Sequence, residues 1–207
     1  MSMTAESTSP SLLEALRGGR NERSWARFVA CYDAMLLSFA KRLGLSDTDA
    51  CDAVQETLLA TYRAFQSMPE PFDRSKGRFR SWLRGIAKHK VQDIKKAKFK
   101  HAHASMSFDA GDQSLTSSGP VDTPQDEIDK AFDQAWKLNQ VAQALELVKR
   151  ESDPSVYQAF FLTFVEQQDA GRVGRLLGVS KNAVYVSKCK TLKKVRAAVL
   201  QIQRDEE

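Results

Sequence analysis

The chain has 207 residues, of which 42% are apolar and 28% are charged, and its formal net charge is +5. This length is enough for one large or two small domains with buried cores. No segment approaches the ~20 apolar residues that span a bilayer, and the N-terminus lacks the charged-then-apolar order of a signal peptide, so we expect a cytoplasmic protein without a membrane segment. The three cysteines are widely spaced and lack a CxxC pair, which supports neither a disulfide framework nor a zinc site, and we expect no metal and no cofactor.

The positive charge is concentrated in two blocks. Phe72–Lys100 holds eleven basic residues against two acids, and residues 171–204 hold nine basic residues and no acid. A surface that is merely solvated usually mixes the two signs, so this segregation favours a nucleic-acid partner that is contacted at two places. Either block by itself could still be a solubilising helix face.

Apolar residues at helical spacing predict three helices before residue 68. Ser11 with Glu14 has the pattern of a capping box and opens a short helix, which the glycines at 18 and 19 should end. A longer helix runs from Asn21, a predicted N-cap, to Gly44. Ser46 caps the third helix, whose predicted buried residues are Val54, Leu58, Leu59, Tyr62 and Phe65.

The third helix also carries an acidic face. Asp49, Asp52 and Glu56 lie at i, i+3 and i+7, with Gln55 beside them. Attraction to the helix dipole explains an acid in the first turn but not Glu56. A metal site is a weak alternative because no histidine lies at ligand spacing. The remaining interpretation is a docking surface for a basic partner protein.

A loop and a basic fourth helix follow. The loop carries Phe72 near basic residues, a mixture suited to gripping an unstacked base beside its phosphates, whereas Phe79 is better explained as core. On the helix, Arg80, Arg84 and Lys88 follow one another at i, i+4 and predict a phosphate-tracking face. Trp82 is compatible equally with a core position and with a stacking platform.

These features resemble one known family. The runs DACDAVQET from Asp49 and FDRSKGRFRSWLRGIAKHKVQDIKK from Phe72 are similar to the second conserved region of bacterial RNA polymerase sigma factors of the extracytoplasmic-function group. The matching positions are Asp49, Ala50, Asp52, Gln55, Glu56, Trp82, Leu83, Ile86, Ala87 and Asp93. His89 takes the usual asparagine position, and Lys95 and Lys96 stand where arginines are common.

The resemblance implies two binding surfaces in this region. The acidic face would dock on core RNA polymerase through Asp49, Asp52, Gln55 and Glu56. The loop and the fourth helix would capture the melted minus-ten promoter element. The residues predicted to do so are Phe72, Lys76, Arg78, Arg80, Trp82, Arg84, Lys88, His89, Lys95 and Lys96.

Composition divides the chain into two domains. Residues 101–129 contain six acids and no Lys or Arg, and they are rich in Ser, Thr, Gly and Pro. We therefore predict an N-terminal segment at 1–20, a first domain at 21–100, a flexible acidic linker at 101–123 and a second domain at 124–207.

The second domain is predicted to be helical. Thr123 and Pro124 start a helix that runs to about Arg150. Asp153 and Pro154 start another, with Tyr157, Phe160, Phe161, Phe164 and Val165 as its predicted buried side.

The end of the chain has the pattern of a helix-turn-helix. A short helix should pack through Val173, Leu176 and Leu177, Gly178 should turn the chain, and Ser180 should cap a second helix. In the family this segment reads the minus-thirty-five element. The corresponding residues are Ser180, Lys181, Asn182, Tyr185, Lys188, Lys190 and Lys193.

The prediction is thus an all-α sigma factor of two small helical domains joined by a flexible acidic linker, the second ending in a helix-turn-helix. Its partners would be core RNA polymerase and promoter DNA, both duplex and single-stranded. The resemblance is also compatible with an anti-sigma factor as a further partner. We expect no catalysis, because an enzyme such as a nuclease would need convergent carboxylates or histidines. The alternative is a stand-alone helix-turn-helix transcriptional regulator, which would have no need of the face from Asp52 to Glu56.

Overall fold

The computed structural model describes residues 10–17, 22–67, 71, 78–106 and 123–205. These residues form eight α-helices and one π-helical turn and contain no strand, so the all-α prediction is confirmed. Within the described ranges, no helix combines the length and the apolar character needed to cross a membrane. The helices are α1 (Pro10–Arg17), α2 (Glu22–Arg42), α3 (Asp47–Ser67), α4 (Phe79–Met106), α5 (Gln125–Glu151), α6 (Pro154–Phe160), the π-helical turn (Phe161–Val165), α7 (Ala170–Leu177) and α8 (Lys181–Asp205).

Local capping sets several helix boundaries. Gly44 follows α2 with φ of +83°, a left-handed conformation that glycine adopts without steric cost. The hydroxyl of Ser46 accepts the backbone N–H of Asp49 at 3.3 Å and so opens α3 as predicted. α1 begins at Pro10, one residue before the predicted cap Ser11. The predicted cap Asn21 lies outside the described residues, as do the glycines at 18 and 19.

The chain divides into two compact units at a point inside α5. One unit is Ser11–Lys137, and the main part of the other is Leu138–Glu207. The sequence predicts a boundary in a linker at 101–123 and places all of α5 in the second domain. The structure differs because the apolar stripe in the first half of α5 is buried in the core of the first unit. α4 also continues to Met106, into the stretch predicted to be linker, while residues 107–122 lie outside the described part of the chain.

The core of the first unit is built by α1, α2, α3, α4 and the first half of α5. Phe28, Tyr32 and Phe39 of α2 are almost fully buried in it. Phe132 and Trp136 of α5 join them, with 5.2 Å between the ring centroids of Phe39 and Phe132 and 5.6 Å between those of Tyr32 and Trp136. One predicted core residue of α3 is exposed, and Tyr62 is half-buried. Leu59 is 39% exposed, because it faces an open cleft rather than a neighbouring helix.

The second unit packs α6, α7, α8 and the second half of α5. Phe160 is fully buried with Val148 and Ile202, and a smaller cluster forms around Val173 and Val184. The predicted aromatic stripe of α6 is wrong beyond Phe160, since Phe161, Phe164 and Val165 are 37%, 41% and 44% exposed. The reason is the π-helical turn, whose wider winding rotates these residues off the buried side.

One further burial prediction is wrong. Leu176 of α7 is 66% exposed, although the sequence predicts that it packs. The buried side of α7 runs through Ala170, Val173 and Gly174, at i, i+3 and i+4, and Leu176 does not lie on that side.

Candidate nucleic-acid interface

The acidic face of α3 separates into an exposed part and a part used inside the protein. Asp52, Gln55 and Glu56 are exposed, whereas the side chain of Asp49 is only 13% exposed. Asp49 accepts hydrogen bonds from the ammonium group of Lys98 on α4 and from the Ser46 hydroxyl. These bonds hold the pKa of the Asp49 carboxyl below its ordinary value. Asp49 therefore joins α3 to α4 and holds the hydroxyl of the cap Ser46, and the surface open to a partner is Asp52, Gln55 and Glu56.

Glu56 forms an ion pair with a residue of α4. Its carboxylate lies 3.3 Å from the Lys90 ammonium of α4, yet its side chain remains 53% exposed. A surface ion pair of this kind is worth only about 0 to 1 kcal/mol, so it is easily exchanged for a partner's charge. Among the described residues no group of His, Cys, Asp or Glu is placed to hold a metal ion.

An apolar cleft adjoins this acidic surface, and sequence reasoning did not find it. Its volume is about 530 Å³, and it lies among α1, α2 and α3. Gln55 and Leu59 of α3 form its edge, and Trp25 and Tyr62 form part of its wall. The available signal was Leu59, an apolar residue next to the acidic face. An apolar floor with an acidic rim is typical of a protein-binding surface.

Part of the basic surface of α4 is contacted by α5. Phe72 and Lys76 lie outside the described residues, and Arg78, His89 and Lys96 are exposed. The Arg80 guanidinium forms an ion pair with Asp133, and the Arg84 guanidinium lies 3.2 Å from the Asp129 carboxylate. The remaining predicted DNA contacts on this face, Lys88 and Lys95, are also half-buried and donate to Gln125 Oε1 and to Thr123 Oγ1 respectively.

The aromatic residues at the start of α4 belong mainly to the core. Phe79 is 7% exposed, as its core prediction requires, and packs edge-on against Phe28. Trp82, for which the sequence left two roles open, is half-buried against Phe65 and Phe79. One part of the Trp82 ring therefore supports the fold, and the rest remains accessible.

The turn between α7 and α8 is built as the sequence predicts. Gly178 has φ of +68° and ends α7 in the left-handed conformation. A Cβ atom on Gly174 would lie 2.7 Å from the Val179 carbonyl oxygen, so only glycine permits this close approach. The Ser180 hydroxyl accepts the backbone N–H of Ala183 at 3.1 Å and caps α8.

The first turns of α8 present polar and basic side chains. Lys181, Asn182 and Tyr185 are exposed, and so are Lys190 and Lys193 further along. The Lys181 ammonium lies 5.9 Å from the centroid of the Tyr185 ring. Lys188 is half-buried, and its ammonium lies 5.5 Å from the centroid of the Phe164 ring on the π-helical turn.

One cap in this unit was not predicted. The Asp169 carboxylate accepts the backbone N–H of Arg172 at 2.9 Å and opens α7. This bond lowers the pKa of the Asp169 carboxyl. The signal available in the sequence was an aspartate three residues before a basic, apolar-periodic segment.

Comparisons with known proteins agree with the resemblance. Residues 28–98 match the family described as Sigma-70 region 2. The chain is 30% identical over 147 residues to the RNA polymerase sigma factor NccH of Alcaligenes xylosoxydans xylosoxydans, covering 70% of this chain and 75% of that protein. It is 26% identical over 178 residues to the RNA polymerase sigma factor CnrH of Cupriavidus metallidurans, covering 84% of this chain and 85% of CnrH.

A solved structure is also similar to the chain. It is the structure of CnrH in complex with the cytosolic domain of CnrY, with 21% identity and a TM-score of 0.35, covering 90% of this chain and 94% of that one. Sigma factors are in general initiation factors rather than enzymes. The identity to NccH over three quarters of its length, with the region 2 match at the acidic face and at α4, shows that the chain belongs to the RNA polymerase sigma factors of the extracytoplasmic-function group and acts in transcription initiation.

Proposed function

We propose that this sigma factor docks on core RNA polymerase through Asp52, Gln55 and Glu56 of α3. The observation that carries the proposal is the exposure of these three side chains on one helix face, beside the apolar cleft and within the matched region. Charged groups at the rim of a docking surface guide association and orientation, while an apolar floor supplies burial. Asp49 acts behind this surface by holding α3 against α4.

Two helices then direct the polymerase to promoters. α4 and the residue before it bind the minus-ten strand through their basic side chains. Arg78, His89 and Lys96 are exposed, Arg80, Arg84 and Lys88 contact α5, and Lys95 contacts Thr123. Phe72 and Lys76 of the preceding loop belong to the same predicted surface. A basic groove with nearby aromatic rings suits an unpaired strand, since phosphates are neutralised while bases stack.

α8 reads the minus-thirty-five element as the second helix of a helix-turn-helix. Lys181, Asn182 and Tyr185 lie where such a helix contacts base edges, and Lys188, Lys190 and Lys193 lie further along towards phosphates. Ser180 contributes by capping this helix. The chain acts in the cytoplasm, where its polymerase is, and carries out no catalysis of its own. An anti-sigma factor remains a predicted partner.

The test is assembly with core RNA polymerase. Purified chain is titrated against core enzyme and resolved by gel filtration, beside the variant Asp52→Lys plus Glu56→Lys. A matched control, Asp33→Lys plus Asp126→Lys, makes the same change in charge at exposed acids elsewhere in the same unit. We expect a one-to-one complex with the wild type and the control and its loss with the α3 variant. A complex that forms equally well with all three proteins would remove the acidic face from the proposal.

A further inference from the structure

Part of the α4 surface assigned above to the minus-ten strand is contacted by another part of the same chain, namely the part formed by Arg80, Arg84 and Lys88. The occupying segment is Gln125–Lys137, the first half of α5, here called the masking segment. Its side chains accept hydrogen bonds or form ion pairs with the guanidinium groups of Arg80 and Arg84 and the ammonium group of Lys88. All of these residues belong to the same compact unit.

The contact follows a repeating register. Arg80, Arg84 and Lys88 are four residues apart on α4, and Asp133, Asp129 and Gln125 are four residues apart on α5 in the opposite direction. Residues four apart lie on one helix face, so two antiparallel helices with these spacings meet one pair per turn. Such a match along three consecutive turns indicates a built contact rather than an accidental one.

Apolar anchors hold the masking segment in place. Ile128 and Phe132 are essentially buried in the core of the first unit, and so is Trp136. The Arg80 guanidinium also lies 5.5 Å from the centroid of the Trp136 ring, so this arginine is held by a carboxylate and by an aromatic face. The polar contacts are by contrast only partly sheltered. The side chains of Arg84 and Asp129 are 33% and 38% exposed.

Carboxylates and phosphates compete for the same basic groups. Both present oxygen pairs that accept charge-assisted hydrogen bonds from a guanidinium, and one guanidinium fork cannot serve both at the same time. The masking segment therefore holds Asp129 and Asp133 where the phosphates of a bound strand would have to lie. Partly exposed ion pairs are weak enough to be exchanged once a partner offers better contacts.

We propose that the masking segment is an intramolecular mask, which covers the basic face of α4 in the free sigma factor and must leave it before the minus-ten strand can bind. The proposal rests on the function proposed for α4. Its consequence is that the free chain binds single-stranded DNA weakly, and that full binding requires a step in which Gln125–Lys137 separates from α4.

The test uses the full chain and a fluorescent single-stranded oligodeoxynucleotide of mixed sequence, followed by anisotropy. Asp129→Asn plus Asp133→Asn keeps the side-chain shapes and removes the charges that face α4. The control Asp126→Asn plus Glu127→Gln removes the same charge from exposed positions in the first turn of the same helix. We expect about 3- to 10-fold tighter binding for the mask variant, as for the loss of two surface pairs, and less than about 2-fold for the control. Equal affinities, or equal gains in both variants, would overturn the mask.

A second measurement needs no substitution. Amide hydrogen exchange in residues 128–137 is compared between the free wild-type chain and the chain bound to core polymerase and the oligonucleotide. Protection in the free chain that disappears in the complex supports the mask, because opening exposes the helix to solvent. Protection that persists in the complex contradicts it.

Promoter-directed transcription by core polymerase and the wild-type chain on genomic DNA tests the proposed function separately. If transcription occurs but the binding and exchange experiments contradict the mask, the proposed function is retained and the mask is rejected. If those experiments support the mask but no transcription occurs, the masking segment still limits anion binding to α4, and the promoter role proposed for α4 is rejected.

Discussion

The two basic helices, α4 and α8, differ in what covers their charge. On α4, Arg80, Arg84 and Lys88 are half-buried and each contacts a residue of α5. On α8, Lys190 and Lys193 are exposed. In the sequence the two helices give the same signal, a run of bases with few acids nearby.

The difference arises from residues that are far away along the chain. Lys88 and its partner Gln125 are 37 residues apart, and Arg80 and Asp133 are 53 residues apart. Charge density therefore predicts that a surface can bind anions, but not whether the protein already supplies one. Substitutions in both units test this contrast, and the largest effect is expected where α5 is held in place.

Removal of the Trp136 ring should have that largest effect. Trp136 is 1% exposed in the core of the first unit, and loss of such a side chain to alanine typically costs about 3 to 5 kcal/mol. Urea unfolding of Trp136→Ala can be followed by the fluorescence of Trp25 and Trp82, which both lie in that unit. Leu138→Ala, next to the unit boundary and 56% exposed, is the control and should cost less than about 0.5 kcal/mol. Similar small losses for both variants would mean that the first half of α5 does not pack in the core of the first unit in solution.

Local hydrogen bonding is what sequence predicts best in this protein. Ser46, Asp153 and Ser180 were each expected to cap a helix, and each accepts the expected backbone N–H within three residues. The partners of a cap lie next to it in the chain, so a short pattern contains all the information needed. The exposed residues Asp52, Gln55 and Glu56 were predictable for the same reason, since helical periodicity alone places them on one face.

Burial against a distant partner could not be predicted in the same way. The sequence predicts that α5 belongs to the second domain, because its spacing does not tell which helices cover it, whereas Phe132 and Trp136 lie in the core of the first unit. The π-helical turn at Phe161 was also invisible, because its register change follows from tertiary packing. Asp49 was placed on a docking face, although it contacts Lys98, 49 residues away.

Two glycine-to-alanine substitutions, one in each unit, compare the stability of the two units directly. Gly174→Ala places a Cβ against backbone at 2.7 Å and should destabilise the second unit by about 1 to 3 kcal/mol. Gly85→Ala in α4 meets nothing within 4 Å and should stabilise its helix by about 0.5 to 1 kcal/mol. Thermal unfolding by circular dichroism distinguishes the two signs. Equal tolerance at both positions would mean that the close turn before α8 is not formed.

DNA binding by the free chain should depend on α8 more than on α4. Lys190→Ala plus Lys193→Ala should weaken binding to duplex DNA several-fold and reduce the slope of log K against log salt by about 2, one for each phosphate that is no longer neutralised. Arg80→Ala plus Arg84→Ala should change affinity less than about 2-fold, because these guanidiniums already contact Asp133 and Asp129. Anisotropy titrations at several NaCl concentrations measure both effects. A dominant effect of the arginine pair would show that α4 is open in the free chain.

The smallest effect concerns the contact between Lys98 of α4 and Asp49 of α3. Hydrogen bonds from Lys98 and Ser46 lower the pKa of the Asp49 carboxyl, so its contribution to stability is complete above the ordinary aspartate pKa of about 3.9 and is lost as pH falls through the lower, folded value. We expect Asp49→Asn to lower Tm at pH 7, with the gap to the wild type narrowing as the pH is brought below about 3.9. Asp52→Asn removes the same charge from an exposed position of α3 and should change Tm less at pH 7. A gap that stayed constant with pH would show that the ionised carboxylate of Asp49 does not hold α3 against α4.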